Sequence, residues 1–273
     1  MAASLTPPAP LVSADWLSEH MGHPDLVIAD CRFSLQQPDS GQQAYATAHI
    51  PGAQYFHLNR DLSGPVLPSR RGGRHPLPAV ADLVRTLEAR GIGNQTTVVA
   101  YDDSRFAFAA RLWWLLRYLG HDRVAVLDGG FAGWRDRGYP TETAAPTPTP
   151  QQFTPRVQTP WVVDRDAVLA RDEDAVLVDS RSGDRYRGER EPIDPVAGHV
   201  PGAVNRFWQE VTDEQGYALP SQAQRQRWQG IDGEVMVYCG SGVTACVNLL
   251  GLALAGREPG RLYAGSWSDW CSY

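Results

Sequence analysis

At 273 residues, with 42% hydrophobic and 21% charged residues, the chain has an ordinary globular composition and is long enough for two domains. Its net charge of −6 argues against a nucleic-acid partner, because phosphate backbones attract basic surfaces. No stretch approaches the roughly 20 apolar residues that span a bilayer, so no membrane partner is expected. The opening MAASLTPPAP lacks a basic start and an apolar core of the signal-peptide kind, and a cytoplasmic location is the expectation.

Taken in chain order, the first strand is expected at Leu26–Asp30, ending in LVIADCR, and the turn unit Tyr45-Ala-Thr-Ala-His49-Ile-Pro51-Gly52-Ala53 follows it. A strand at Thr97–Tyr101 runs into VVAYDD, a helix is expected from about Arg105 to Leu119, and a strand at Arg123–Leu127 leads into LDGGFAGW. Residues 141–155, TETAAPTPTPQQFTP, read as an extended Pro/Thr connector with little packing of its own. The same plan then repeats. A strand at Ala175–Asp179 ends in AVLVDSR, and Pro195-Val-Ala-Gly-His199-Val-Pro201-Gly202-Ala203 matches the earlier turn unit. VMVYCG, with a strand at Val235–Tyr238, matches VVAYDD; a helix is expected from about Val243 to Ala255; a strand at Arg261–Tyr263 opens YAGSWSDW.

Four correspondences in one order imply a duplicated unit. Alternating strands and helices imply an α/β fold, each copy a parallel sheet with helices on both faces. The expected division is 8–142 for the first domain, 143–160 for a linker and 161–273 for the second domain.

The four cysteines, Cys31, Cys239, Cys246 and Cys271, match no zinc spacing, and no haem motif is present. Cys239 stands out by its setting. It ends a buried strand and opens Cys239-Gly240-Ser241-Gly242-Val243-Thr244, a loop that leads into an apolar helix. Ligands of open parallel sheets bind at the carboxyl ends of strands. Two glycines allow successive N–H groups to point at one centre, and the helix N-terminus adds more donors. A thiolate there is stabilised, and the same cradle suits the terminal sulfur of a persulfide.

The HIPGA and HVPGA units, the CGSGVT loop and the AGSWSDW ending resemble the rhodanese superfamily, in particular its tandem-domain thiosulfate/3-mercaptopyruvate sulfurtransferases. The resemblance covers the chain from about residue 11 to its end. It implies paired α/β domains, an inactive first domain, a persulfide on Cys239 and no organic cofactor. Aligning the copies sets Asp102 opposite Cys239, and a carboxylate cannot accept a sulfane sulfur. The first loop, DDSRFAF, also lacks the glycines expected for a curl, so the first copy is expected to serve as scaffold and as part of a cleft wall.

Loop composition bears on the donor. Within the resemblance, thiosulfate-preferring loops carry basic residues after the cysteine, whereas CGSGVT is the mercaptopyruvate-type loop. A dianion rewards local positive charge, and Gly240 and Ser241 offer none. Mercaptopyruvate is the favoured donor, thiosulfate the alternative, and cyanide, a small thiol or a protein thiol the acceptor.

Substrate binding is expected from Gly240, Gly242, Val243 and Thr244 of the loop. Arg185 matches the family's substrate arginine and is expected to fork a carboxylate. A second family arginine has no counterpart in Glu191-Pro-Ile193-Asp194-Pro, leaving Arg187 or Arg190 as candidates. The run Arg70-Arg71-Gly72-Gly73-Arg74 is a candidate for steering anions. Ser241 can relay a proton or donate to a carbonyl. His75 resembles a histidine that some members use in a Cys-Ser-His-Asp relay, with Asn59 at the aspartate position and Asp61 nearby. His49 and His199 recur in both copies and read as structural, as does Cys246 on its apolar helix.

Two other readings use related features. Cysteine phosphatases need an arginine about six residues after the cysteine, but position 245 is Ala and the loop is one residue short. A sulfur-relay module serving a protein acceptor stays open, because acceptors meet only the outer sulfur.

Overall fold

In the computed structural model, which describes residues 5–273, the chain forms two compact units. One comprises the chain through Leu62 together with Pro78–Val157 and Glu214–Ala218; the other comprises Ser63–Leu77, Gln158–Asp213 and Leu219–Tyr273. Each half of the sequence thus lends one segment to the other unit, and no local sequence signal announces either excursion.

The first unit holds β1 (Leu11–Val12), β2 (Leu26–Asp30), β3 (Gln54–Tyr55), β4 (Thr97–Tyr101) and β5 (Val124–Leu127). The second holds β6 (Val162–Val163), β7 (Val176–Asp179), β8 (Val204–Asn205), β9 (Val235–Tyr238) and β10 (Arg261–Tyr263). Every pairing is parallel, and the strand orders β1-β5-β4-β2-β3 and β6-β10-β9-β7-β8 are the same order twice. All residues of β4, β5 and β9 are buried, so both faces of each sheet centre are covered, as an α/β fold requires. The two-residue strands β1, β3, β6 and β8 escaped the sequence reading because so short a segment shows no period.

The duplication extends to buried ion pairs. Arg32 grips Asp30 at 2.6 Å and donates to the Ala48 carbonyl; Arg181 grips Asp179 at 2.7 Å and donates to the Gly198 carbonyl. Each pair ties the end of an inner strand, β2 or β7, to the residue before the HxPGA unit. His49 stacks on Tyr45 and bonds its carbonyl oxygen, and His199 does the same with Tyr186, which is the structural role expected of both.

Two expectations change. The connector is extended, but it is packed: Phe153 is buried, and Gln151, Thr154 and Arg156 donate backbone hydrogen bonds to Glu88, Asn94 and Leu119. The helices start later than expected, at Ala109–Tyr118 and Ala245–Leu254. The residues before each one form a curled loop, because Arg105, Phe106 and Gly242 adopt positive φ, which no α-helix allows.

Candidate active site

The second unit's central strand β9 ends at Tyr238, whose hydroxyl accepts from the Val200 amide. Cys239 follows at once. Its amide donates to the Ser266 hydroxyl at 3.1 Å, its carbonyl accepts from the Trp267 amide at 3.0 Å, and the Gly240 carbonyl accepts from the Ser268 amide at 2.9 Å. Ser266 is itself fixed by donation to the Tyr263 carbonyl. The loop is therefore pinned to the turn after β10. Gly242 is required here: its φ is +74°, and a Cβ would lie 2.2 Å from the Ala264 carbonyl oxygen.

Among the described residues, no protein acceptor takes the amides of Gly240, Ser241, Val243 or Thr244. These donors lead directly into the N-terminus of Ala245–Leu254. Unpartnered donors in a buried curl leave a place for an anion. Cys239 is only 2% exposed, and the buried Ser241 lies two residues beyond it in the same loop.

The His75 imidazole Nδ1 lies 2.8 Å from the Ser241 hydroxyl, and both residues are buried. In the first unit, Asp61 accepts from the His57 amide and pairs with Arg90 at 2.9 Å, and the Asn59 amide donates to His57.

Two guanidiniums approach Gly240. A Cβ at that glycine would lie 3.0 Å from Arg74 Nη2 and 3.5 Å from Arg185 Nη1. Each arginine is held from behind. Arg185 spends Nε and Nη2 on Glu191, at 3.1 and 2.6 Å, and reaches Asp194 at 3.4 Å. Arg74 Nη1 pairs with the other Asp194 oxygen, and Arg181 braces Glu191 at 3.1 Å. Arg74 Nη2 and Arg185 Nη1 are left toward the loop. Arg185, expected to fork a carboxylate, thus has Nε and Nη2 engaged by Glu191 and its Nη1 near Gly240, with Arg74 Nη2 beside it.

Burial pushes Glu191 up, but bonds from Arg185 and from the amides of Asp194 and Ile193 outweigh it and hold this carboxyl below its ordinary range. Burial pushes Asp194 up as well; Glu191 adds to the rise, and Arg74 and Arg185 oppose it without cancelling it.

Arg187 is not brought to the loop. Its guanidinium makes a two-bond pair with Glu189 at 2.7 and 2.8 Å on an exposed surface, and Arg190 is likewise occupied, by Asp184. The second arginine near Gly240 is Arg74, not Arg187 or Arg190. Its signal in the sequence is the basic run beside His75, but that run precedes the first copy's VVAYDD strand and folds with the second unit.

Val243 is buried and Thr244 half-buried in the same loop. Trp267 is buried, donates to the Val196 carbonyl and lies under Arg181 at 4.7 Å. Of the other cysteines, burial beside Asp30 and Asp102 pushes the Cys31 thiol well up, and burial raises Cys271 to about 11, which keeps both protonated at neutral pH. Cys246 is buried on its helix, its thiol donating to the Gly242 carbonyl.

The first copy's loop forms the curl that its lack of glycines had argued against. Arg105 and Phe106 take φ of 57° and 70°, and the Asp102 carboxylate fills the centre. Oδ1 accepts from the amides of Ser104 and Phe106, Oδ2 from those of Phe108 and Ala109, all within 2.8–3.1 Å. The bonds to this internal anion offset the strain of two non-glycine positive-φ residues. One loop carries its own anion; in the other, the amides of Gly240, Ser241, Val243 and Thr244 have no protein acceptor among the described residues.

The rhodanese-like domain model matches residues 13–137 and 165–273. The chain belongs to the rhodanese family, as a tandem-domain sulfurtransferase. It is 43% identical over 272 residues to "Probable 3-mercaptopyruvate sulfurtransferase" of Pseudomonas aeruginosa, covering 96% of this chain and 95% of that one. It is 32% identical over 302 residues to "Thiosulfate/3-mercaptopyruvate sulfurtransferase 1, mitochondrial" of Arabidopsis thaliana, covering 99% and 78%. The structure of 3-mercaptopyruvate sulfurtransferase from Leishmania major superposes with a TM-score of 0.84 at 29% identity, covering 98% of this chain and 75% of that one. Within this family, the repeated sheets are the two rhodanese domains, and the loop at Cys239 follows the middle strand of the second.

Proposed function

We propose that the second domain desulfurates 3-mercaptopyruvate by double displacement on Cys239. The observation that carries this reading is the pair of guanidinium edges, Arg74 Nη2 and Arg185 Nη1, converging on Gly240 next to the cysteine. Two N–H edges from separate side chains suit a planar carboxylate, one oxygen to each. The donor's thiol sulfur then reaches Cys239, and the loop amides face the charge that develops there.

The thiolate of Cys239 attacks the donor sulfur, and the sulfur–carbon bond breaks. Its electron pair stays on carbon, giving the enolate of pyruvate. The proton that left the donor thiol returns to that carbon through Ser241 and His75, in hydrogen-bond reach of one another. The outer sulfur remains on Cys239 as a persulfide held by the loop amides. Cyanide, a small thiol or a protein thiol attacks this sulfur, and the S–S electron pair restores the thiolate.

The same reading makes Gly240, Gly242, Val243 and Thr244 the cradle and leaves the first domain inert, its ring occupied by Asp102. The four free cysteines agree with a reducing compartment, the cytoplasm. Among the described residues, no helix is long and apolar enough to cross a membrane.

The test compares kcat/KM for 3-mercaptopyruvate and thiosulfate on the purified chain. A clear preference for mercaptopyruvate supports the assignment; turnover of thiosulfate alone overturns it.

A further inference from the structure

Three guanidiniums and three carboxylates meet behind the loop: Arg74, Arg181 and Arg185 with Asp179, Glu191 and Asp194. Formally the cluster is neutral, so a donor enters a site rich in donor edges but without excess positive charge. The members differ in how they are tied. Asp179 is bound to Arg181, and Glu191 is locked between Arg181 and Arg185. Asp194 alone touches both arginines that face Gly240, one through each oxygen.

We propose that Asp194 is a specificity-determining residue: by holding Arg74 and Arg185 from behind, it orients their free edges and cancels the charge that would favour a dianionic donor. A monoanion needs two oriented N–H edges, which Asp194 preserves. A dianion such as thiosulfate needs net positive charge, which Asp194 removes. The inference rests on the donor reading above, and its test is chosen to fail separately.

In Asp194→Asn one negative charge is lost while the shape stays. The ratio of kcat/KM for thiosulfate to that for mercaptopyruvate should rise about tenfold, carried mainly by KM for thiosulfate, and Asp194→Glu should restore the wild-type ratio. An unchanged ratio in Asp194→Asn overturns the role of Asp194. If the wild-type chain does not use mercaptopyruvate, the donor reading falls instead, and the two failures are told apart by that single measurement.

Should the variant not fold, competitive inhibition of the wild-type enzyme gives the answer. Pyruvate, a monoanion, should bind more tightly than oxalate, a dianion of similar size. Tighter binding of oxalate would contradict the inference.

Discussion

The imidazole of His75 lies 2.8 Å from the hydroxyl of Ser241, although 166 residues separate them in the chain. Ser241 is two residues beyond Cys239, and its amide is among those with no protein acceptor. One short loop thus carries both amides with no protein acceptor and a hydroxyl within hydrogen-bond reach of an imidazole.

If that path returns the proton to the pyruvate carbon, Ser241→Ala and His75→Asn should each lower kcat for mercaptopyruvate by roughly a hundredfold with KM little changed. Turnover of thiosulfate, which needs no proton on its leaving sulfite, should suffer much less. Equal losses for both donors would point to a merely structural pairing.

Arg74 and Arg185 make a matched prediction. Arg74→Ala and Arg185→Ala should each raise KM for mercaptopyruvate about ten- to a hundredfold, the scale of one charge-assisted hydrogen bond of about 1.5–3 kcal/mol. Arg187→Ala should leave KM unchanged, because that side chain is engaged by Glu189 at the surface. Steady-state kinetics on the three variants separates the arginines that face the loop from the one that does not.

Asp102 gives a pH signature. Burial raises its carboxyl above the ordinary value, against the pull of the amides of Ala109, Ser104 and Phe108. A raised folded-state value means the folded chain holds this proton more tightly than the unfolded chain does. The stability it contributes is fully present below the unfolded value of about 3.9 and is lost as pH rises through the raised value. Asparagine does not titrate, so the stability of Asp102→Asn relative to wild type should improve between pH 4 and neutrality, as read by urea melts at both. With the reaction on Cys239 as proposed, its kcat/KM should stay within about twofold of wild type.

Much of this was legible in the sequence. Cys239 was exposed by its neighbours: an apolar strand before it, glycines around it and an apolar helix after it. The longer strands were equally visible, since their buried runs are bounded by turns. What stayed hidden depended on long-range placement. Nothing near Ser63–Leu77 shows that this segment folds with the second unit, so Arg74 looked like part of a charged run. Glu191 and Asp194 appeared only as a stretch without arginine, when they are the carboxylates that hold two arginines in place. The curl around Asp102 has no glycine to announce it: four hydrogen bonds to one carboxylate accompany the positive φ of Arg105 and Phe106.

The central claim is that sulfur rests covalently on Cys239 between donor and acceptor. Incubation with 3-mercaptopyruvate and no acceptor, followed by peptide mass analysis, should show a gain of about 32 Da, one sulfur atom, on the Cys239 peptide alone. Cyanide should remove it, and Cys239→Ser should show neither the adduct nor turnover. Mercaptopyruvate desulfuration that persists in Cys239→Ser, or an adduct on another cysteine, would contradict the account.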